Sequence, residues 1–327
     1  MMEPSMKSPI RALGLALAAT ALQAVMVIAF AWPSSHIAPR DVPLVVAGPQ
    51  ASTLARTLEQ RQPGAFDIKQ RADEAAARRA LADRKAYGAI VSTPTGPHVI
   101  VASAASPLIS QQLTQLAQQL SGAKPVPVQD AVAADPDDPR GTGFGTMALP
   151  LIMSGIAGAV LMTLLIRSVF WRLVGVLAFA VFGGLATTLI SQNWLSLLPG
   201  SYWEIAGVTA LAIVTVSGTV AGLGAAIGRA GLGLGALTFL LLGNPLSAAT
   251  SAPELLPQPW GEIGQVLPPG AAVTLFRSVA FFDGANATTP LIILGAWSAA
   301  ALLLFAIGGL RSVRGAPARE HEPALVS

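Results

Sequence analysis

Apolar and polar positions divide the chain into three regimes. Residues from Ala12 to Trp32 are almost all apolar, those from 33 to 145 mix polar and apolar at strand and helix periods, and from Thr146 to Leu310 charge nearly vanishes. No Asp, Glu, Lys or Arg occurs in residues 142–166, 173–203, 205–228, 230–253 or 284–310. A helix rises about 1.5 Å per residue and a bilayer's hydrocarbon core is about 30 Å thick, so about 20 apolar residues suffice for a crossing. The pattern predicts an α-helical membrane protein with six transmembrane helices (1+5) and a small α/β extracytoplasmic domain between helices 1 and 2. The predicted units are a cytoplasmic N-terminus with helix 1 (residues 1–32), the α/β domain with a Pro/Asp-rich linker (33–145), a five-helix block (146–310) and a cytoplasmic tail (311–327).

The first apolar run ends in Ala29-Phe30-Ala31, small residues of the kind a signal peptidase accepts. A signal peptide's apolar core is about 7–15 residues, shorter than this run, so it reads as an uncleaved anchor. In the middle regime Val42–Ala47 is a β-branched run ended by Gly48-Pro49, followed by a helix with Leu54 and Leu58 that Ser52 is placed to cap. Residues 65–69 read as a second strand. Residues 73–85 read as a helix with acids first and bases last, as the helix dipole prefers. A strand pair, 87–92 and 98–102, flanks Pro94-Thr95-Gly96-Pro97. The helix from Pro107 to Leu120 then aligns Ile109, Leu113, Leu116 and Leu120 on one face, for packing on strands more than for a two-heptad coiled coil. Residues 123–145 are Pro, Asp and Gly rich and read as a linker.

Composition sharpens this. Hydrophobic residues make up 53% and charged residues 11%, with a mean hydropathy of +0.60, against about 25% charged in a soluble domain. There is no cysteine, which excludes disulfides and thiolate sites, and His36, His98 and His321 stand far apart. The net charge is only +3, with bases scattered, so no nucleic-acid partner is indicated. No phosphate loop, zinc-protease motif or nucleophile elbow occurs, and no cofactor, metal or catalytic residue is indicated. Glu204 stands at the mouth of a predicted span beside Trp203 and reads as an interface residue.

The apolar block holds three further features. Gly218, Gly222, Gly224 and Gly228 recur at spacings that let helices approach closely, as a packing or dimer seam. Asn244-Pro245 breaks a helix. Pro268-Pro269-Gly270 opens a short helix that closes at Asp283-Gly284, a segment (268–283) too short to span and read as an amphipathic surface helix or a re-entrant cap. Val273, Phe276, Val279 and Ala280 would take one face of it, with Thr274, Arg277 and Ser278 on the other.

Orientation follows from the bases. With the N-terminus inside, eight bases near membrane ends are cytoplasmic, among them Arg167, Arg172 and Arg229, and one, Arg277, is external. Trp194, Tyr202, Trp203 and Trp260 would then line the outer interface.

With these residues in place, the chain resembles the permeases of type-2 ATP-binding-cassette (ABC-2-type) exporters, in the phage-infection-protein (Pip/YhgE-like) branch. The likeness rests on the 1+5 layout, the Asp138-Pro-Arg-Gly141 run, the Gly243-Asn-Pro-Leu246 break and the Leu267-Pro-Pro-Gly-Ala-Ala272 to Phe282-Asp-Gly284 segment. It implies a homodimer or heterodimer in bacterial cytoplasmic membrane lipid, moving amphipathic or lipid-like cargo outward, with a separate ATPase subunit and the 268–283 segment at the exit. Arg167, Arg172 and Arg229 would form the cytoplasmic coupling surface. The chain departs from that family where a coupling helix would stand, between the second and third spans, having only Arg167-Ser-Val-Phe-Trp-Arg172 there. The rival expectation is a non-transporting envelope scaffold or secretion accessory acting through its external domain.

Overall fold

The computed structural model describes residues 7–94, 96–121, 126–138 and 141–314. Thr95, Pro139, Arg140 and His321, named above, lie outside these, as does the tail from residue 315. Helix α1 (Lys7–Ser35) leads into an α/β domain of β1 (Val42–Ala47), α2 (Ala51–Arg61), β2 (Phe66–Arg71), α3 (Glu74–Ala82), β3 (Gly88–Thr93), β4 (Gly96–Val101), α4 (Pro107–Ser121) and β5 (Val128–Asp130). The strands form one sheet in the order β2-β1-β3-β4-β5, antiparallel only between β3 and β4.

The interior strand β1 explains the sheet's two cores. Its period of two sends Val42, Leu44 and Val46 to one face, where they meet Leu58 of α2 and Ile109, Leu113 and Leu116 of α4. Val45 and Ala47 go to the other, against Ala77, Ala80 and Leu81 of α3. A strand covered on both faces carries an unbroken apolar run, as Val42–Ala47 does.

Several boundaries differ from the sequence expectation. Ser52 lies inside α2, whose first residue is Ala51, and makes no cap. Helix α3 is capped by Asp73, whose side chain accepts from the Ala76 amide at 2.8 Å. It stops short of Lys85 because Arg84 turns left-handed (φ 53°) and Lys85 N closes back on Ala80 O at 2.8 Å. The supposed linker carries β5, which extends the sheet beyond β4, and the next helix begins at Thr142.

The second half comprises α5 (Thr142–Leu165), α6 (Val169–Leu189) continued by a π-helical turn to Trp194, α7 (Tyr202–Ile227), α8 (Arg229–Leu237) continued by a π-helical turn to Gly243, α9 (Trp260–Val266), α10 (Pro268–Phe281) and α11 (Thr288–Arg314). Among the described residues five helices are long and apolar enough to cross a membrane: α1, α5, α6, α7 and α11. Within the run expected to span from 230 to 253, the continuous helix, which begins at Arg229, covers nine α and six π residues and ends at Gly243, no more than about 22 Å. Asn244 and Pro245 follow its last turn, Asn244 N bonding Phe239 O at 2.8 Å and Pro245 opening a 3-10 turn.

Helix α7 is the axis of the bundle. Two thirds of its most apolar stretch is buried, against about a fifth for α5, α6 and α11 and none for α1. Its small residues permit this. Gly218 faces Ala301 of α11, a Cβ at Gly222 would lie 3.0 Å from Ala301 O, and Gly224 abuts Leu232 of α8. The glycine run therefore packs helices of this chain against each other, and Gly228 (φ 73°) makes the turn into α8. Hydroxyls within these helices are mostly spent locally: Thr188, Thr209, Thr215 and Ser217 each donate to a carbonyl one turn back.

Candidate functional site

Helices α9 and α10 form a hairpin that enters the bundle from the end carrying the α/β domain. At its start Trp260 meets Trp32 of α1 edge-on, with ring centres 6.4 Å apart. At its tip Trp297, about a third of the way along α11, donates its indole N–H to Val266 O at 2.9 Å. Pro268 and Pro269 share an apolar slot with Val216, just past the middle of α7. Helix α10 then climbs back until the main chain of Val279 and Ala280 reaches Gly200 at the head of α7. Two glycines make the hairpin tight: a Cβ on Gly264 would stand 1.9 Å from Leu246 O, and one on Gly270 would stand 2.2 Å from Gly264 O.

This geometry corrects the surface-helix expectation. Thr274 is half-buried, while Arg277 (4% exposed) and Ser278 are buried like Val273 and Phe276, so α10 has no solvent face along most of its length. The polar side of α10 turns toward the α/β domain. Arg84, projecting from the left-handed turn after α3, donates to Thr274 O at 2.9 Å and Ser278 Oγ at 2.5 Å, and its guanidinium lies 5.3 Å from the Phe282 ring centre. Arg277 donates to Ala249 O at 2.7 Å and Ala248 O at 3.3 Å, and lies 5.2 Å from the Phe144 ring centre. Tyr87, between α3 and β3, donates its hydroxyl to Glu254 at 2.8 Å. Thr274 donates to Gln265 at 2.6 Å, tying α10 to α9.

These groups line the polar part of an open cavity of about 660 Å³ between the α/β domain, α9, α10 and the head of α11. Burial is the main reason the Tyr87 phenol is pushed above its ordinary range, with the Glu254 carboxylate adding to it, so the phenol stays a donor. Burial also draws the Arg84 guanidinium below its ordinary value, opposed by Tyr87 and Glu254. Beneath, between α5, α7 and α10, lies the apolar slot of about 40 Å³, walled by Phe144, Leu151, Ile152, Val216, Pro268 and Phe276. It is closed to anything much larger than a water molecule.

The hairpin is also built into the α/β domain. Leu255, fully buried, belongs to the core on the α2/α4 face, and Phe282 to the core on the α3 face. The main chain reinforces this: Ala38 N bonds Leu255 O at 3.1 Å and Arg40 N bonds Glu254 O at 3.0 Å.

The remaining candidate residues lie elsewhere. Asp283, exposed and left-handed (φ 48°), shares a groove of about 460 Å³ with Glu204 beside α7 and α11. Arg167, Arg172 and Arg229 are at the end of the bundle away from the domain, together with Arg311, whose guanidinium bonds Ala226 O. Arg172 is occupied there, its Nε donating to Ile166 O at 2.5 Å to cap α5, while Arg167 and Arg229 are exposed. Among the described residues the only buried charged side chains are Asp138 and Arg277, and no cluster could hold a metal ion. Asp138 accepts from the Phe144 amide at 3.0 Å and so caps the first turn of α5.

No family model, curated protein or solved structure matches this chain.

Proposed function

We propose that this chain is the membrane-spanning, permease-like subunit of an ABC-2-type exporter, moving amphipathic or lipid-like cargo outward, with any ATPase on a separate chain. The observation that carries this reading is the α9–α10 hairpin. Its tip closes an apolar slot deep between α5 and α7, while both its ends are held in the α/β domain. A shift of the hairpin would join the slot to the polar cavity above it and give an amphiphile a path with a greasy floor and a polar exit. In this reading α8 and its π-helical turn make a sixth, short crossing, and both termini face the cytoplasm. Arg167, Arg172, Arg229 and Arg311 gather at the end opposite the domain, as basic residues do at a cytoplasmic face. The α/β domain is then external.

One observation favours the scaffold reading. Helices α5 and α6 are joined by only residues 166–168, which leaves no helix at that turn for an ATPase to push. The two readings separate in one experiment. The full chain, affinity-purified from its own membranes, brings down an ATP-binding-cassette ATPase whose turnover in nanodiscs rises when the chain is present. Absence of any such ATPase from repeated preparations sinks the exporter. Orientation is tested independently: the chain has no cysteine, so Arg167→Cys and Arg229→Cys should resist a membrane-impermeant maleimide in intact cells and react after lysis.

A further inference from the structure

The polar cavity has a charge imbalance at its floor. Arg84, Arg277, Tyr87 and Glu254 meet there, two guanidiniums against one carboxylate, and that carboxylate already holds the Tyr87 hydroxyl. Both arginines are capped by neutral oxygens only: carbonyls for Arg277, a carbonyl and a hydroxyl for Arg84. Among the described residues neither has an ion pair, and the Nε and Nη2 donors of Arg84 have no protein partner. Neutral acceptors orient a guanidinium without cancelling its charge, so one positive charge remains over among side chains that are half-buried or, for Arg277, buried. Of the cavity's other charged residues, Asp41, Lys85 and Glu262 are exposed to solvent and screened, and Arg40, half-buried, gives its donors to main-chain carbonyls.

The opposite wall has another character. Ala271, Pro290, Ile293 and Val266 line it, and Val266 is 54% exposed. The cavity thus passes from Arg84 and Arg277 to apolar surface supplied by α9 and α11. Its volume, about 660 Å³, falls in the range of about 300–1,000 Å³ usual for small-molecule sites.

We propose that this cavity binds the singly charged oxyanion head group of an amphiphile against Arg84 and Arg277, with the apolar chain leaving past Val266 and Ile293 into the surrounding lipid. The assignment rests on the membrane placement proposed above and not on energised transport, so loss of the ATPase partner would leave it standing.

The test uses the full chain in detergent, equilibrated with phosphatidylglycerol or with phosphatidylcholine of the same acyl chains, the retained lipid being counted by native mass spectrometry. Phosphatidylglycerol is expected to be held at least about tenfold more tightly, Arg84→Gln to remove about that factor, and Arg84→Lys to keep most of it. Ile293→Trp, which narrows the apolar side without touching either arginine, should also weaken retention, and it decides the matter if Arg84→Gln does not purify as a folded protein. Equal retention of the two lipids, or full retention by a folded Arg84→Gln or by Ile293→Trp, overturns the proposal. Binding of sn-glycerol 3-phosphate as tightly as the lipid overturns the amphiphile assignment in favour of a free phosphate ester.

Discussion

Replacing Tyr87 by Phe removes one oxygen and nothing else, and it probes the joint between the α/β domain and the segment leading into the hairpin. The hydroxyl donates to Glu254 at 2.8 Å, a contact between residues 167 positions apart, in the wall of the polar cavity. A hydrogen bond to a charged acceptor contributes about 1.5–3 kcal/mol, and its loss leaves a part-buried carboxylate without that donor. We expect Tyr87→Phe to cost about 2 kcal/mol, a fall of about 4–8 °C in the melting temperature of the detergent-solubilised full chain. The alkaline limb gives a second, sharper reading. The folded phenol titrates above its ordinary value of 10.0, held there first by burial and then by Glu254. Below that value both folded and unfolded chains keep the proton and the stabilisation is complete. Above it the unfolded chain loses the proton while the folded chain retains it, so stability falls by about 1.4 kcal/mol per pH unit. The gap between wild type and Tyr87→Phe should be constant from pH 7 to about 9 and narrow between about pH 10 and 11. A Tyr87→Phe chain that melts with wild type at pH 8, or a gap that does not shrink at alkaline pH, refutes the reasoning. A cycle with Glu254→Ala should give a coupling of at least about 1 kcal/mol, and strict additivity would show that the two side chains do not act together.

Leu255→Ala empties a fully buried position in the core of a domain that ended more than a hundred residues earlier. It should cost about 2–5 kcal/mol and expose residues 36–130 to limited proteolysis, whereas unchanged protection would mean the segment only rests on the surface. Gly270→Ala places a methyl 2.2 Å from Gly264 O. The hairpin must open to admit it, at about 1–3 kcal/mol, so a wild-type melting curve would contradict the packing at the tip. Asp138→Ala removes the cap of the first turn of α5, with an expected loss of about 1 kcal/mol, read by thermal melting.

The elements that declare themselves in the sequence are those whose side chains face one environment throughout. Val42–Ala47 is buried on both faces and reads as a strand at once. Helix α5 carries no charge, α7 and α11 carry charge only in an end turn, and all three read as spans. Legibility fails where the backbone is terminated by something non-local or non-standard. Arg84 ends α3 in a conformation that favours glycine, so nothing in the residue type announces the stop. The run from 230 to 253 is as apolar as its neighbours, but its α-helix stops at Leu237, and the π-helical turn and the 3-10 turn at Pro245 that follow do not continue it as a straight crossing. Composition reports the solvent a segment prefers, and it is silent on whether the chain rises straight through that solvent.

The cavity shows the same limit more sharply. Arg277 is visible as a base in an apolar stretch, and its amphipathic spacing predicts a surface helix or a re-entrant cap. A polar helical face is as well satisfied by a folded domain as by water, and only the position of Arg84, 193 residues earlier, decides between them. Glu254 left a fainter trace, being the one charged residue between Arg229 and Glu262, set among Ala, Pro and Leu. Tyr87 left none, since a lone tyrosine before a strand is ordinary core. The site is assembled from a left-handed turn, a Pro-rich connection and a buried helix, three pieces whose chemistry exists only when the α/β domain sits on the hairpin. It follows that any movement of the hairpin must displace Leu255 and Phe282 from the two cores of the sheet, or carry the whole domain with it. Carrying the domain as a rigid body disturbs fewer buried contacts, so a ligand that bridges Arg84 and Arg277 should slow hydrogen exchange in β1 and α10 together. Protection of one without the other would show that domain and hairpin move independently.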